Sequence, residues 1–189
     1  MPTSSRWAPI SASTDPAALV VKTLSAPFDV SLVEALGPQG AASVHAWLHQ
    51  RALSWARTHG PTLHAAVDDG TGAVAALGNH PGPVLLVAYD VPGLDNRLAH
   101  AALVDLDHGA ELAMAPATDG RPFLIALAHA DPELVRAAAD GLPDRQAAAD
   151  LIGGEFGLLR SERRLVTAGD ARAFAADPLT PPDLAALLR

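Results

Sequence analysis

The stretch that most constrains the fold is the apolar run Val84–Ala88, which is of strand length and is followed by Tyr89 and Asp90. A strand without polar alternation has both faces covered, which is typical of a central strand in a parallel sheet. The Pro92-Gly93 pair that follows turns the backbone sharply. The run therefore predicts a buried strand that presents a carboxylate where it ends.

Other apolar runs of strand length alternate with helical segments along the chain. Strands are predicted at 17–21, 63–67, 84–88, 111–115 and 123–128, with a weaker one at 164–167. Helices are predicted at about 37–58, 95–107, 132–139 and 144–152, and a last one is opened by Thr180-Pro181-Pro182-Asp183. This alternation predicts an α/β fold, a three-layer α/β/α domain around an open, mostly parallel sheet.

Length and charge limit the architecture and the partners. The 189 residues suffice for one domain, expected at 17–189 behind a flexible tail at 1–16. The net charge of −8 disfavours nucleic-acid and membrane partners, because both need a basic surface. The chain has no cysteine and hence no disulfide or thiolate ligand. Neither a signal-peptide core nor an apolar segment of roughly 20 residues occurs, so a cytoplasmic protein is expected.

Asp90 is the first candidate functional residue because it follows the most buried strand. In open α/β sheets, ligands bind beyond the carboxyl ends of the strands. A carboxylate placed there can hold Mg²⁺ or Mn²⁺ together with the phosphates of a substrate. Asp95 can cap a helix whose N-terminus points toward the same cleft. The alternative is that Asp90 only caps a turn and Asp95 only a helix.

Four more charged residues occupy loops on the same predicted side of the sheet. Asp119, in an Asp-Gly turn, is the second candidate metal ligand. Arg97 and Arg121 are candidates for pairing with phosphate, and Asp68 is a candidate for contacting a base or ribose. Gly93, in the turn after Asp90, is expected to line the same nucleotide site. Each has an ordinary alternative, since Asp-Gly sequences form turns and most arginines are solvated.

A zinc site is a further alternative. His45 and His49 share one face of a predicted helix, in the segment His-Ala-Trp-Leu-His. This segment lacks the glutamate that follows the first histidine in zinc proteases, and no third ligand stands out. Partly exposed helix histidines are therefore the favoured interpretation. The motifs of P-loop, dinucleotide-binding and serine-hydrolase proteins are absent from the sequence.

Four segments together resemble one family of small bacterial proteins. They are ALGPQGAASVHAWL (35–48), PVLLVAYDVPGLD (83–95), GAELAMAPATDGRPFLIAL (109–127) and DPLTPPDLAAL (177–187). The family has a glycosyltransferase-A fold, is of unknown function, and is related to the phospholactate and molybdenum-cofactor guanylyltransferases. The resemblance implies a nucleotide-diphospho-sugar transferase-like domain with a nucleotide site that holds Mg²⁺ or Mn²⁺. It implies that Asp90, before Pro92-Gly93, is a metal ligand and that Asp119 belongs to an acidic loop.

The sequence departs from the family at the groups that would hold phosphate. Relatives carry a loop of the type Pro-Gly-x-x-Lys-Thr-Arg-Leu after the first strand, whereas this chain has Asp29-Val30-Ser31 there. Lys22, the only lysine of the chain, is the substitute that we expect to contact phosphate. The family's Asp-x-Asp-Thr-Pro motif is matched to Asp177–Pro181, which makes Asp177 a third implied metal ligand but places Leu179 at the second acid.

Two functions of different classes are consistent with these residues. One is a transferase that binds a nucleotide or nucleotide sugar with a divalent metal and transfers a nucleotidyl or glycosyl group. The other is a catalytically degenerate member of the same fold that serves as a binding or scaffolding module. The missing basic loop motivates the second function, and no residue is assigned to the chemical step.

Overall fold

The structure is a computed structural model that describes residues 15–154 and 156–189. It contains one six-stranded sheet in the order β2-β1-β3-β5-β4-β6. The strands are β1 Ala17–Val21, β2 Leu63–Val67, β3 Val84–Val87, β4 Leu112–Pro116, β5 Pro122–Leu127 and β6 Gly157–Leu158. Residues 1–14 of the predicted tail lie outside the described part of the chain, and the extent of the domain stays a prediction.

The sheet is mostly parallel, as predicted. β1 pairs in parallel with β2 and β3, and β4 pairs in parallel with β6. β5 runs antiparallel between β3 and β4. Every strand except β5 therefore points the same way, and their carboxyl ends share one edge of the sheet with the start of β5. We call this border the carboxyl edge.

Burial explains which strands are central. Every residue of β1, β3 and β5 is buried, whereas β2 alternates between half-buried and exposed residues. An apolar strand that is covered on both faces belongs in the interior of a sheet, and an alternating one belongs at its edge. The run Val84–Ala88 thus forms the centre of the fold, with all five residues at 0% exposure.

The helices form two layers around the sheet. α1 Val30–His59 and α3 Asn96–Asp107 contact each other and the sheet. α2 Gly70–Leu77, α4 Pro132–Gly141 and α5 Arg145–Ile152 form a second contiguous group that also contacts the strands. α6 Ala168–Ala176 and α7 Pro182–Leu187 pack on α1. This is the predicted α/β/α arrangement.

The start of α1 differs from the prediction. Asp29 accepts a hydrogen bond from the Ser31 amide and begins the helix at Val30, before the predicted start near Gly37. Gly37 has φ 70° and ψ 163°, which lie outside the helical region, so two helical pieces meet there. Glycine adopts this conformation at little cost, and Pro38 fits the first turn of the second piece.

Two predicted elements near the C-terminus are corrected. The weak strand predicted at 164–167 is wrong, because these residues form an extended segment with no strand partner and lead into α6. The pairing lies earlier, where β6 and a bridge from Glu162 to Ala117 extend the sheet beside β4. Thr180 does not cap the last helix, which begins after Pro181 without a side-chain cap.

Within the described residues, the structure has no helix that is long and apolar enough to cross a membrane.

The connection from α1 to β2 provides a test of the packing. A Cβ atom on Gly60 would collide with the Leu63 carbonyl oxygen and would lie 2.6 Å from the Ala18 amide nitrogen. Both are backbone atoms of β1 and β2, so they cannot move aside cheaply. We expect Gly60→Ala to lower the free energy of unfolding by about 1–3 kcal/mol, as overpacking does.

Urea denaturation measures this loss, and Gly154→Ala is the matched control. Gly154 has no atom within 4 Å of a built Cβ, so its variant should stay within about 0.5 kcal/mol of the wild type. Equal effects of the two substitutions would contradict the packing described for Gly60.

Candidate functional site at the carboxyl edge

Asp90 lies at the carboxyl edge but does not face solvent. Its side chain is fully buried, at 0% exposure. Its Oδ2 atom accepts a hydrogen bond of 2.7 Å from the Ala26 amide, and its Oδ1 and Oδ2 atoms both accept bonds of 2.7 Å from Arg164 Nη1. The carboxylate is therefore enclosed by the loop after β1 and by the segment that precedes α6.

Arg164 connects the loops that surround Asp90. Besides Asp90, its Nη1 atom donates to the Leu24 carbonyl at 3.1 Å, and Nη2 donates to the Pro122 carbonyl at 2.9 Å. Its Nε atom lies 3.3 Å from Asp119 Oδ2, in an ion pair whose angle does not make a hydrogen bond. Only 5% of the Arg164 side chain is exposed. One guanidinium thus joins loops from three parts of the chain.

Asp119 lies on the side of the Arg164 guanidinium that is nearest to solvent. Its side chain is 43% exposed, and its Oδ1 atom accepts a hydrogen bond of 3.0 Å from the Arg121 amide. A cleft of about 270 Å³ begins beside it and is lined by Thr118, Arg164 and Asp170. The structure therefore brings the predicted ligands Asp90 and Asp119 to one cation, and that cation is Arg164.

The protonation of Asp90 follows from burial and its partners. Burial raises the pKa of Asp90, because removal from water disfavours the charged form. The Arg164 guanidinium and the Ala26 amide oppose the rise, because both stabilise the carboxylate. Since a guanidinium stays protonated in proteins, Arg164 balances the charge of Asp90 permanently.

The arrangement does not fit a divalent metal at Asp90. Mg²⁺ takes about six oxygen ligands at about 2.1 Å and usually keeps several waters. Both oxygens of Asp90 are already bound by N–H groups, and Arg164 stands between Asp90 and Asp119. Among the residues that the structure describes, no cluster of three or more His, Asp or Glu side chains could hold a metal ion.

Asp177 lies away from this group. It follows the end of α6, where its Oδ1 atom accepts a hydrogen bond from the Leu179 amide and its carbonyl accepts one from Thr180. Within 15–154 and 156–189, no hydrogen bond or ion pair joins it to Asp90 or Asp119. Its predicted role as a metal ligand stays a prediction, to which the geometry adds no support.

Lys22 and Asp68 meet in a second place on the carboxyl edge. They follow β1 and β2, and their charged groups are 3.6 Å apart with side-chain exposures of 70% and 85%. Two adjoining clefts, of about 290 and 430 Å³, share these residues and Tyr89. We call the pair of clefts the Lys22 cleft.

Aromatic and imidazole rings form one wall of the Lys22 cleft. His45 and His49 stack with centroids 6.4 Å apart, and the edge-on ring of Tyr89 lies 5.0 and 5.8 Å from them. Burial, with a smaller effect of His49, lowers the pKa of His45, so this ring is neutral at physiological pH. Burial and the nearby Asp90 raise the pKa of Tyr89. The wall is therefore a surface of rings beside a lysine, and its His45 and Tyr89 rings are uncharged.

Gly93 and Arg97 do not line the Lys22 cleft. A side chain on Gly93 would bring its Cβ to 2.5 Å from Glu162 Oε2, so this glycine permits close packing of the turn. Arg97 lies in the first turn of α3 and lines a cleft of about 730 Å³ with Trp47, Arg51 and Asp95. This cleft shares no lining residue with the Lys22 cleft, so the predicted nucleotide contacts do not all converge.

Arg121 has an exposed side chain at the start of β5. Its carbonyl lies 3.5 Å from Arg164 Nη2 and accepts a hydrogen bond from the Ala117 amide. Its backbone thus helps to hold Arg164, while its side chain remains a candidate for phosphate.

Sequence reasoning missed Arg164, which begins the segment 164–167 that was predicted to be a weak strand. Thr167 caps α6 in a capping box with Asp170, whereas Thr180 caps no helix.

Comparisons with known proteins identify the fold. No family model matches the chain, and no curated protein matches its sequence. A candidate nucleotide-diphospho-sugar transferase from Desulfovibrio desulfuricans superposes with a TM-score of 0.66 at 21% identity, covering 92% of this chain and 93% of its own. The predicted nucleotide-diphospho-sugar transferase-like fold is thereby confirmed, whereas the relation to the guanylyltransferases stays a prediction.

Two other solved structures are more distant. The 4-diphosphocytidyl-2C-methyl-D-erythritol synthase of Anaerococcus prevotii is 11% identical, covers 82% of this chain and 94% of its own, and has a TM-score of 0.45. A Mycobacterium tuberculosis protein in complex with manganese is 16% identical, covers 86% and 98%, and has a TM-score of 0.42. Both superpose too weakly to add to the fold assignment.

The Asp90–Arg164 pair should be a major source of stability. Arg164→Met removes the guanidinium and leaves a buried carboxylate without a partner, which costs about 3–5 kcal/mol of unfolding free energy. Because burial holds the folded pKa of Asp90 above its unfolded value, the protonated form is favoured in the folded variant. The deficit should therefore be smallest below about pH 4 and should grow as the pH rises through the folded pKa.

Urea unfolding at about pH 5 and about pH 7 measures this dependence. Arg160→Met is the control, since Arg160 is 45% exposed and pairs with Asp95 and Glu162 at the surface. Its loss should be below about 1 kcal/mol at both pH values. A variant of Arg164 that is as stable as the Arg160 variant would show that the buried pair does not hold the loops together.

Proposed function

We propose that the protein binds a nucleotide or nucleotide sugar in the Lys22 cleft. The observation that carries this proposal is the position of the cleft, which opens where the parallel strands β1, β2 and β3 end. In open α/β sheets this is where ligands bind. The cleft also combines a cation with a surface of rings, which can contact phosphate and base respectively.

Lys22 is the phosphate-binding group in this proposal. Its ion pair with Asp68 is highly exposed at both ends, so water screens it and its strength is small. A phosphate carries more charge than one carboxylate and makes stronger charge-assisted hydrogen bonds. The ammonium can therefore leave Asp68 for a ligand at little cost.

Tyr89 and the two histidines are the base-binding groups. Aromatic and imidazole rings give a base a stacking surface, and stacking on aromatic side chains contributes about 1–3 kcal/mol per base in nucleic-acid complexes. Tyr89 is half-buried, its backbone amide donates a hydrogen bond of 2.9 Å to the Ser25 hydroxyl, and its ring packs edge-on against His45 and His49 before a ligand arrives. A fixed surface loses less entropy on binding.

Nucleotidyl or glycosyl transfer is the second candidate function. It is favoured by the fold that this chain shares with the Desulfovibrio protein over most of both chains. Asp119 and the Arg121 side chain, both exposed near the Arg164 group, are the residues available to contact an acceptor or a leaving phosphate. A binding or scaffolding module would use the Lys22 cleft without this step.

Calorimetric titration with nucleoside triphosphates and nucleotide sugars tests the proposal. We expect at least one of them to bind the wild type and Lys22→Gln to weaken its Kd by about 10- to 100-fold, the value of one charge-assisted hydrogen bond. Arg145→Gln, which removes an exposed cation from the start of α5, should leave the Kd unchanged.

Asp68→Asn distinguishes the role of the neighbouring acid. If Asp68 only neutralises Lys22, its removal should tighten nucleotide binding, because a competing carboxylate is lost. Weaker binding would instead support the expected contact of Asp68 with a base or ribose. Failure of every nucleotide and nucleotide sugar to bind the wild type would reject the proposed function.

A further inference from the structure

We propose that the guanidinium of Arg164 is a built-in substitute for a divalent cation at the carboxyl edge. In this inference, which does not depend on nucleotide binding, Asp90 and Asp119 are acids of a cation site whose cation is supplied by the chain itself. The protein then has no divalent-metal requirement at this place. Replacement of Arg164 by an acid should create the metal site that the wild type lacks.

The surroundings of Arg164 support this inference. Its guanidinium is enclosed by oxygen atoms of Asp90, Leu24 and Pro122, and its Nε atom faces Asp119. Carboxylate and carbonyl oxygens are the ligands that Mg²⁺ and Mn²⁺ prefer. These oxygen atoms would suit a hard cation such as Mg²⁺, but the N–H groups of Arg164 occupy the space between them.

Because Arg164 is buried, a metal ion cannot easily displace its guanidinium. Its side chain is 5% exposed, and a guanidinium cannot be neutralised by loss of a proton at accessible pH. If it moved out, its bonds to Asp90, Leu24 and Pro122 would all be lost. A metal would have to offset that loss, which lowers its apparent affinity by about 100- to 1,000-fold.

The charge of the site follows from the same contacts. Arg164 balances Asp90 and lies beside Asp119, so the three side chains together carry one negative charge. The adjacent Asp170 accepts hydrogen bonds from Thr167 within the capping box and is thereby occupied. One net charge, partly exposed to water, attracts a divalent ion only weakly. With an acid in place of Arg164, three uncompensated carboxylates would face one another.

Mn²⁺ titration followed by electron paramagnetic resonance tests the inference on the intact chain. The wild type should bind Mn²⁺ with a Kd no tighter than about 1 mM at this site, and Arg164→Asp should bind it at least about 10-fold more tightly. Adding Asp90→Asn to Arg164→Asp should abolish the gain. Arg57→Asp, which makes the same charge change at an exposed arginine of α1 with no acid within four positions along the chain, should gain nothing.

A measurement on the wild type keeps the inference falsifiable if Arg164→Asp fails to fold. Bound Mn²⁺ broadens the NMR signals of nearby nuclei, so a site at Asp90 would selectively broaden the amides of Ala26 and Thr118. The absence of selective broadening supports the inference. Selective broadening in the wild type that Asp90→Asn removes would overturn it, as would a folded Arg164→Asp variant that gains no affinity. Nucleotide titrations with a chelator present report on the Lys22 cleft separately.

Discussion

The buried ion pair between Asp90 and Arg164 is the interaction on which the carboxyl edge depends. Asp90 follows the central strand β3, and Arg164 precedes α6, so the pair links the core of the sheet to the C-terminal helices. The same guanidinium also holds the loop after β1 and the start of β5. Removing either partner would leave an unpaired charge in the protein interior, which lowers the free energy of unfolding strongly.

The sequence predicted one site that binds both a metal ion and a nucleotide, and the Asp90–Arg164 pair separates these two properties. A carboxylate at the end of a central strand suggests a cation, and the structure provides one from within the chain. The proposed contact with phosphate therefore falls to the Lys22 cleft, which is lined by Lys22 and by the rings of Tyr89, His45 and His49. Nucleotide binding and metal binding are therefore independent questions for this protein.

Local features of the sequence were sufficient for most of the fold. The strand at 84–88 and the cap of α3 by Asp95 were predictable because burial and capping depend on residues a few positions apart. The site was only partly predictable. Asp90 and Arg164 are separated by 74 positions, and nothing adjacent to Arg163-Arg164 distinguishes a buried arginine from a solvated one. The apolar 164–167 segment resembled a strand, although it is the segment that delivers Arg164 to Asp90.

A crystal grown with manganese and a nucleotide would test the central claim most directly, because anomalous scattering locates manganese without assumptions about the ligand. The account predicts Arg164 in contact with both oxygens of Asp90 and no anomalous peak between Asp90 and Asp119, whatever occupies the Lys22 cleft. A manganese peak at about 2.2 Å from Asp90, with Arg164 displaced toward solvent, would contradict it.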